Sequence, residues 1–188
     1  MRSLLSSLDA RIASAPDPAR VSWLEEWTYA HRGLHAEGGA VENSASAFRA
    51  ALEAGLGIEC DIQRSRDGEA MVYHDWDFAR LLGRAEAGNA LDAADWRKLR
   101  YAGFDEGPFG FSDLLEMVDG KVPVLIEIKS RAGYDVERSC EVVTRTLEGY
   151  DGHHAVMSFD PRVSRWLGRN APSTVRGLVM RQDRHADA

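Results

Sequence analysis

The chain has 188 residues, 44% hydrophobic and 28% charged, which suits one domain with a sizeable core and excludes a disordered tract. The net charge of −7, with no basic run, excludes a nucleic-acid surface but leaves room for a small-anion cleft. No apolar run is long enough to span a membrane. The N-terminus lacks the apolar core of a secretory signal, and Cys60 and Cys140 make no disulfide framework, so a cytoplasmic protein is expected.

Residues 3–13 carry weak helical periodicity, which the two prolines of "SAPDPA" end. Residues 1–28 therefore read as a helix-like N-terminal extension and 29–188 as the functional domain. Tyr29–Arg32 is a short strand. Ser44–Ala54 is a helix with Ala47, Phe48, Ala51 and Leu52 on one face, Asn43 or Ser44 as its cap and Gly55 as its stop. "GIECDIQ" and "AMVYHD" follow as strands. Residues 91–100 and Ser112–Val118 read as helices, "VPVLIEIK" as a strand, Tyr134–Leu147 as a helix and "HAVMSFD" as a strand. Pro161–Arg169 is the last helix and "RGLVM" the sixth strand. Strands alternating with helices indicate a parallel α/β fold, and polar residues at several strand ends point to a TIM-type (β/α) barrel with its site on that face.

Only twelve residues separate Asp61 from His74, too few for an ordinary helical crossover. Either a hairpin turns at Asp67-Gly68, pairing residue 61 with residue 74, or an irregular loop returns to a parallel strand.

In "GIECDIQ" the side chains alternate, so Ile58, Cys60 and Ile62 face one way and Glu59, Asp61 and Gln63 the other. Two carboxylates about 6.6 Å apart then share a face, either solvated on an edge strand or inside a barrel with a cation to keep them ionised. "PVLIEIK" repeats the construction, with Glu127 and Lys129 opposite an apolar face. Glu127 could complete an oxygen set with Glu59 and Asp61, suited to Mg²⁺ or Ca²⁺. Lys129 would be a point charge for an anion, or else half of a plain surface pair. His31 and His74 each end a strand, where two imidazoles can take and give a proton. Arg32 offers a fork suited to phosphate. Asp75 is placed to orient a histidine, and Trp76 to wall a pocket. His35, His153, His154 and His185 read as solvent-exposed.

"AHRG", "ENSASAF", "IECDIQRSRDGEAMVYHD" and "LIEIK", in this order and spacing, resemble the glycerophosphodiester phosphodiesterases, most closely from Tyr29 to Lys129. The resemblance implies a metal-dependent TIM-type barrel. By matching position it implies Glu59, Asp61 and Glu127 as ligands of a divalent metal, His31 and His74 as acid and base, and Arg32 and Lys129 as phosphate contacts. Glu42 and Asn43 match a Glu-Asn pair that organises the site, and Phe159 matches an aromatic at the pocket rim. The implied reaction cleaves a small glycerophosphodiester to glycerol 3-phosphate and an alcohol, with the substrate's 2-hydroxyl attacking first to form a cyclic phosphate.

The chain departs from the pattern in three places. Val41 stands where the family has Pro, and Phe78-Ala79-Arg80 stands in place of Leu-x-Arg. The family's last two strands have no counterpart. The barrel is therefore expected to be incomplete at its C-terminal side, by truncation or with its open edges covered in a homo-oligomer. The competing readings are an inactive or binding-only homologue and a phosphodiesterase acting on a lysophospholipid.

Overall fold

The computed structural model describes residues 16–180; the expected helix at 3–13 and His185 lie outside them. All six expected strands form within this span, some of them shortened. They are β1 (Tyr29–His31), β2 (Gly57–Arg64), β3 (Ala70–Val72), β7 (Val124–Ile128), β8 (His154–Ser158) and β9 (Val175–Leu178). Three short strands were not expected: β4 (Asp77–Phe78), β5 (Arg84–Ala87) and β6 (Phe109–Gly110).

β1, β2, β7, β8 and β9 run parallel and pair in chain order, as the wall of a singly wound barrel does. Among the described residues, β1 pairs only with β2 and β9 only with β8, so the wall is open. β3 is antiparallel, and the hairpin alternative is the one adopted. Its register is one residue off the expectation: Ile62 faces Val72, and the Tyr73 amide donates to the Asp61 carbonyl. The turn is the five-residue loop Ser65–Glu69, closed by a hydrogen bond from the Ser65 amide to the Glu69 carbonyl. A strictly symmetrical turn at Asp67-Gly68 has no place for this odd residue. β1 and β3 share one edge of β2, β1 along its first half and β3 along its second.

The alternation read from the sequence decides which face is which. Ile58, Cys60, Ile62, Val124, Ile126 and Ile128 join the main core with the flanking helices. Helix Ala45–Glu53 contributes Phe48 and Ala51; Ser44 caps it by accepting from the Ala47 amide. Helix Phe111–Val118 buries Phe111, Leu114, Leu115 and Val118, the i, i+3, i+4, i+7 stripe of an amphipathic helix. Helices Val136–Thr146 and Pro161–Asn170 are capped by Asp135 and Asp160.

The expected helix at 91–100 shrinks to one turn, Ala93–Trp96. Beyond it the chain bends so that Leu99 and Tyr101 enter a second core with Met71, Tyr73, Phe78 and Trp96. This aromatic cluster is built from β3 and from the long connection that leads to helix Phe111–Val118 and then β7.

Residues 18–25 form two short helical turns. Trp23 stacks on His153 at 5.1 Å, and Arg20 donates to the Ser173 carbonyl, which places this segment under the N-terminal ends of β8 and β9. His154, expected in solvent, is half-buried, with its Nδ1 2.8 Å from the Gly152 carbonyl. Cys60 and Cys140 are buried free thiols, and among the described residues no helix is long and apolar enough to cross a membrane.

Candidate active site

The polar face of β2 and β7 points away from the main core. Parallel pairing sets Asp61 beside Glu127 and His31 beside Glu59. Glu59, Asp61 and Glu127 are all buried, and one oxygen from each lies within 4.8 Å of the others. Three carboxylates this close in a poorly solvated place repel one another. Burial first, then Asp61 and Glu127, push the Glu59 carboxyl up to about 8 against the donation of the Arg32 amide. Burial also raises Glu127, although Lys129 pulls against it.

Two cations flank the trio. Lys129 Nζ lies 2.9 Å from Glu127 Oε1 and 3.4 Å from Asp61 Oδ1. Arg32 Nε lies 3.1 Å from Asp61 Oδ2, and its Nη1 lies 2.9 Å from Glu42 Oε1. Asp61 is 1% exposed, yet its Oδ1 has no hydrogen-bond donor. A buried carboxylate oxygen with an ion-pair contact but no hydrogen-bond donor, grouped with two other carboxylates, is the chemistry of a hard-cation site, and the trio fits a divalent ion.

Backbone geometry aims these groups. Arg32 and Gly33 both have positive φ, 58° and 79°, so the chain reverses directly after β1. A Cβ on Gly33 would sit 2.9 Å from the Ala47 carbonyl carbon, so only glycine fits that turn unstrained. The loop closes where the Asn43 amide donates to the Arg32 carbonyl. Asn43, also left-handed at φ 56°, donates from Nδ2 to Asp61 Oδ2 at 2.9 Å and accepts from the Asp61 amide at 3.2 Å. It fixes the orientation of that carboxylate from both sides.

His31 is at the surface, its side chain 69% exposed and its Nε2 3.9 Å from Glu59 Oε2. Partial burial, then Arg32, lowers its pKa below the ordinary histidine value. His74 lies two residues beyond β3, and its Nδ1 is 2.7 Å from Asp75 Oδ1. Both histidines line one cavity of about 660 Å³ with Arg32, Glu59, Glu127 and Lys129. Its outer wall is Trp76, Ser130, Met157, Ser158, Phe159 and Val179. Phe159, half exposed, stands at the rim, and Arg131 stacks over Trp76 at 4.4 Å. Glu42, Asn43, Asp61 and Asp75 form the shell behind the lining.

Two residues in this shell had no role assigned from sequence. Gln63 donates to the backbone carbonyls of His74 and Asp75; alternation placed it on the correct face, but its partner needed the hairpin register. Arg80 donates to both Glu42 and Asp75, and burial opposed by those hydrogen bonds leaves both carboxyls below their ordinary values. The signal for Arg80 was the tripeptide Phe78-Ala79-Arg80, whose Arg comes five residues after Asp75, visible only as a pattern.

A Mycobacterium tuberculosis protein, "Probable glycerophosphodiester phosphodiesterase 2", is 30% identical over 104 residues, 55% of this chain and 38% of its own. The chain thus spans well under half of that relative's length. An Oleispira antarctica phosphodiesterase, solved in complex with the product sn-glycerol-3-phosphate, matches with a TM-score of 0.76 at 19% identity, over 87% of this chain and 70% of its own. A glycerophosphodiester phosphodiesterase from Agrobacterium tumefaciens matches with a TM-score of 0.66 at 26% identity, over 80% and 64%. These neighbours give the described sheet its context, a TIM-barrel-like fold of which this chain forms part. The profile of the glycerophosphoryl diester phosphodiesterase family matches residues 31–188, and the chain belongs to that family.

Proposed function

We propose that the protein hydrolyses glycerophosphodiesters to glycerol 3-phosphate and an alcohol, with a divalent metal and two histidines. The observation that carries this reading is the single cavity joining Glu59, Glu127, Arg32 and Lys129 to both His31 and His74. Family membership and the product bound to the Oleispira antarctica enzyme agree with it.

Glu59, Asp61 and Glu127 would hold Mg²⁺ or Ca²⁺. A bound divalent ion supplies a Lewis acid for the negative charge that develops at a phosphoryl centre. The rest is work for the chain. Arg32 and Lys129 bind and orient the phosphate, while their neighbouring carboxylates hold them in place. One imidazole takes the proton from the substrate's 2-hydroxyl as its oxygen bonds to phosphorus, and the other gives one to the oxygen of the departing alcohol; water then opens the cyclic phosphate to glycerol 3-phosphate, with the two imidazoles exchanging roles. In His74 the bond to Asp75 engages Nδ1 and leaves Nε2 as the reacting nitrogen. Trp76, Met157 and Phe159 wall off the alcohol side. Residues 29–188 act as the catalytic unit and 1–28 as an N-terminal extension. The buried thiols suit a cytoplasmic setting, and a second copy would cover the free edges of β1 and β9.

The test is product analysis with glycerophosphocholine and a lysophospholipid as parallel substrates. Glycerol 3-phosphate from the first supports the proposal. Cleavage of the lysophospholipid alone selects the related lipid enzyme, and binding without turnover selects the inactive homologue.

A further inference from the structure

Arg80 touches no part of the cavity, yet it joins its two chemical arms. Its Nε and Nη2 donate to Asp75 at 2.7 and 3.0 Å, and its Nη1 and Nη2 donate to Glu42 at 2.9 and 2.7 Å. Asp75 holds His74 through Nδ1, and Glu42 holds Arg32 through Nη1. A continuous chain therefore runs His74–Asp75–Arg80–Glu42–Arg32, connecting groups that arrive on different strands.

We infer that Arg80 is a positioning residue that fixes the proton-transferring His74 and the phosphate-binding Arg32 relative to each other. This rests on the function proposed above.

Three features carry it. First, Glu42, His74 and Asp75 bring ligand atoms within 4.8 Å of one another. Without a cation, the two carboxylates would repel and release their partners; the guanidinium supplies that charge. Second, the geometry needs a planar fork. Four hydrogen bonds leave three nitrogens in two directions, which a lysine ammonium cannot reproduce. Third, Arg80 is mounted rigidly although its side chain is 48% exposed. It sits in the one-turn helix Ala79–Leu82, directly after Phe78. Phe78 is fully buried and packs on Trp96 at 4.6 Å and Tyr73 at 5.4 Å. The second core thus acquires a purpose: it lines no part of the cavity, but it holds the bracket that sets two of the cavity's walls.

The neutral His74 ring must carry its proton on Nδ1, because an ionised Asp75 can only accept. This provides a readout independent of turnover. In Arg80→Ala, kcat should fall and KM should rise, each by about 10-fold or more. Added guanidinium ion should restore part of the lost rate in this variant and none in the wild type. The ¹⁵N spectrum of His74 should lose its single-tautomer signature, and sn-glycerol 3-phosphate should bind about 10-fold more weakly. Asp75→Asn should lower kcat alone, Glu42→Gln should raise KM alone, and Arg80→Lys should resemble Arg80→Ala.

A folded Arg80→Ala with wild-type kcat and KM, or with losses matching its folded fraction and no guanidinium rescue, overturns the inference. If Arg80→Ala fails to fold, Arg80→Lys decides by the same criteria. If the wild type cleaves no diester, the proposed function fails. The inference is then judged by the tautomer and the glycerol 3-phosphate affinity, and no change in either overturns it.

Discussion

Glu59 is the residue whose ionisation should most affect the stability of the metal-free protein. Its carboxyl is held at about 8 against an ordinary 4.5, chiefly by burial and then by Asp61. Between those values the folded chain keeps a proton that the unfolded chain has lost, so stability falls as pH rises. Each pH unit in that window costs about 1.4 kcal/mol, so going from pH 5 to pH 8 costs about 4 kcal/mol. Glu127, also raised by burial, acts in the same direction. His31 acts in the opposite one: its lowered pKa gives stability that is lost as pH falls below 6.5, an effect weakened by its exposure. For a chain of this size about 4 kcal/mol is a fall in Tm of about 8–16 °C. Thermal melts in EDTA at pH 5, 6.5 and 8 measure it. Saturating Mg²⁺ or Ca²⁺ should flatten the fall by supplying the charge the trio lacks. Glu59→Gln, which imitates the protonated acid, should fall less steeply without metal, keeping only the share of Glu127. A metal-free wild type whose Tm is constant from pH 5 to 8, or a Glu59→Gln variant that tracks it, would refute the reasoning.

His31→Ala should lose at least about 10²-fold in kcat while its Tm stays put, because the side chain is 69% exposed; wild-type turnover removes His31 from the mechanism. Gly33→Ala combines a left-handed φ of 79° with a contact 2.9 Å from Ala47, at a cost of about 2–5 kcal/mol in a urea melt. A loss under about 1 kcal/mol would show that the turn does not need glycine. Asn43→Ala strips Asp61 of two hydrogen bonds, so titration calorimetry should find Mg²⁺ binding weaker by about 10–100-fold. Unchanged affinity would separate Asn43 from the ligand trio.

The legibility of this chain followed the range of the interactions. Alternation in β2 and β7 placed Glu59, Asp61 and Glu127 on one face because strand periodicity is local. Ser44, one of the two caps expected for its helix, and the helix expected at Ser112–Val118 were readable for the same reason. The β3 register was not, because an odd-numbered turn shifts it by one residue and only the pairing partner reveals that. The helix expected at 91–100 failed because Leu99 and Tyr101 are drawn into an aromatic core with Met71, Tyr73 and Phe78, which lie far back in the chain, where local periodicity says nothing. Arg80 was hidden by the same distance: Glu42 lies 38 residues before it. Val179 and Met157 entered the cavity wall only once β8 and β9 were in place.

The most direct test of the central claim is one titration. Protein stripped with EDTA is given Mg²⁺ or Ca²⁺ in steps while glycerol 3-phosphate released from glycerophosphocholine is followed. The account predicts no release in chelator and a rate that rises to saturation with metal, with Asp61→Asn silent throughout. Release undiminished in EDTA, or none from folded, metal-loaded wild-type protein, would contradict it.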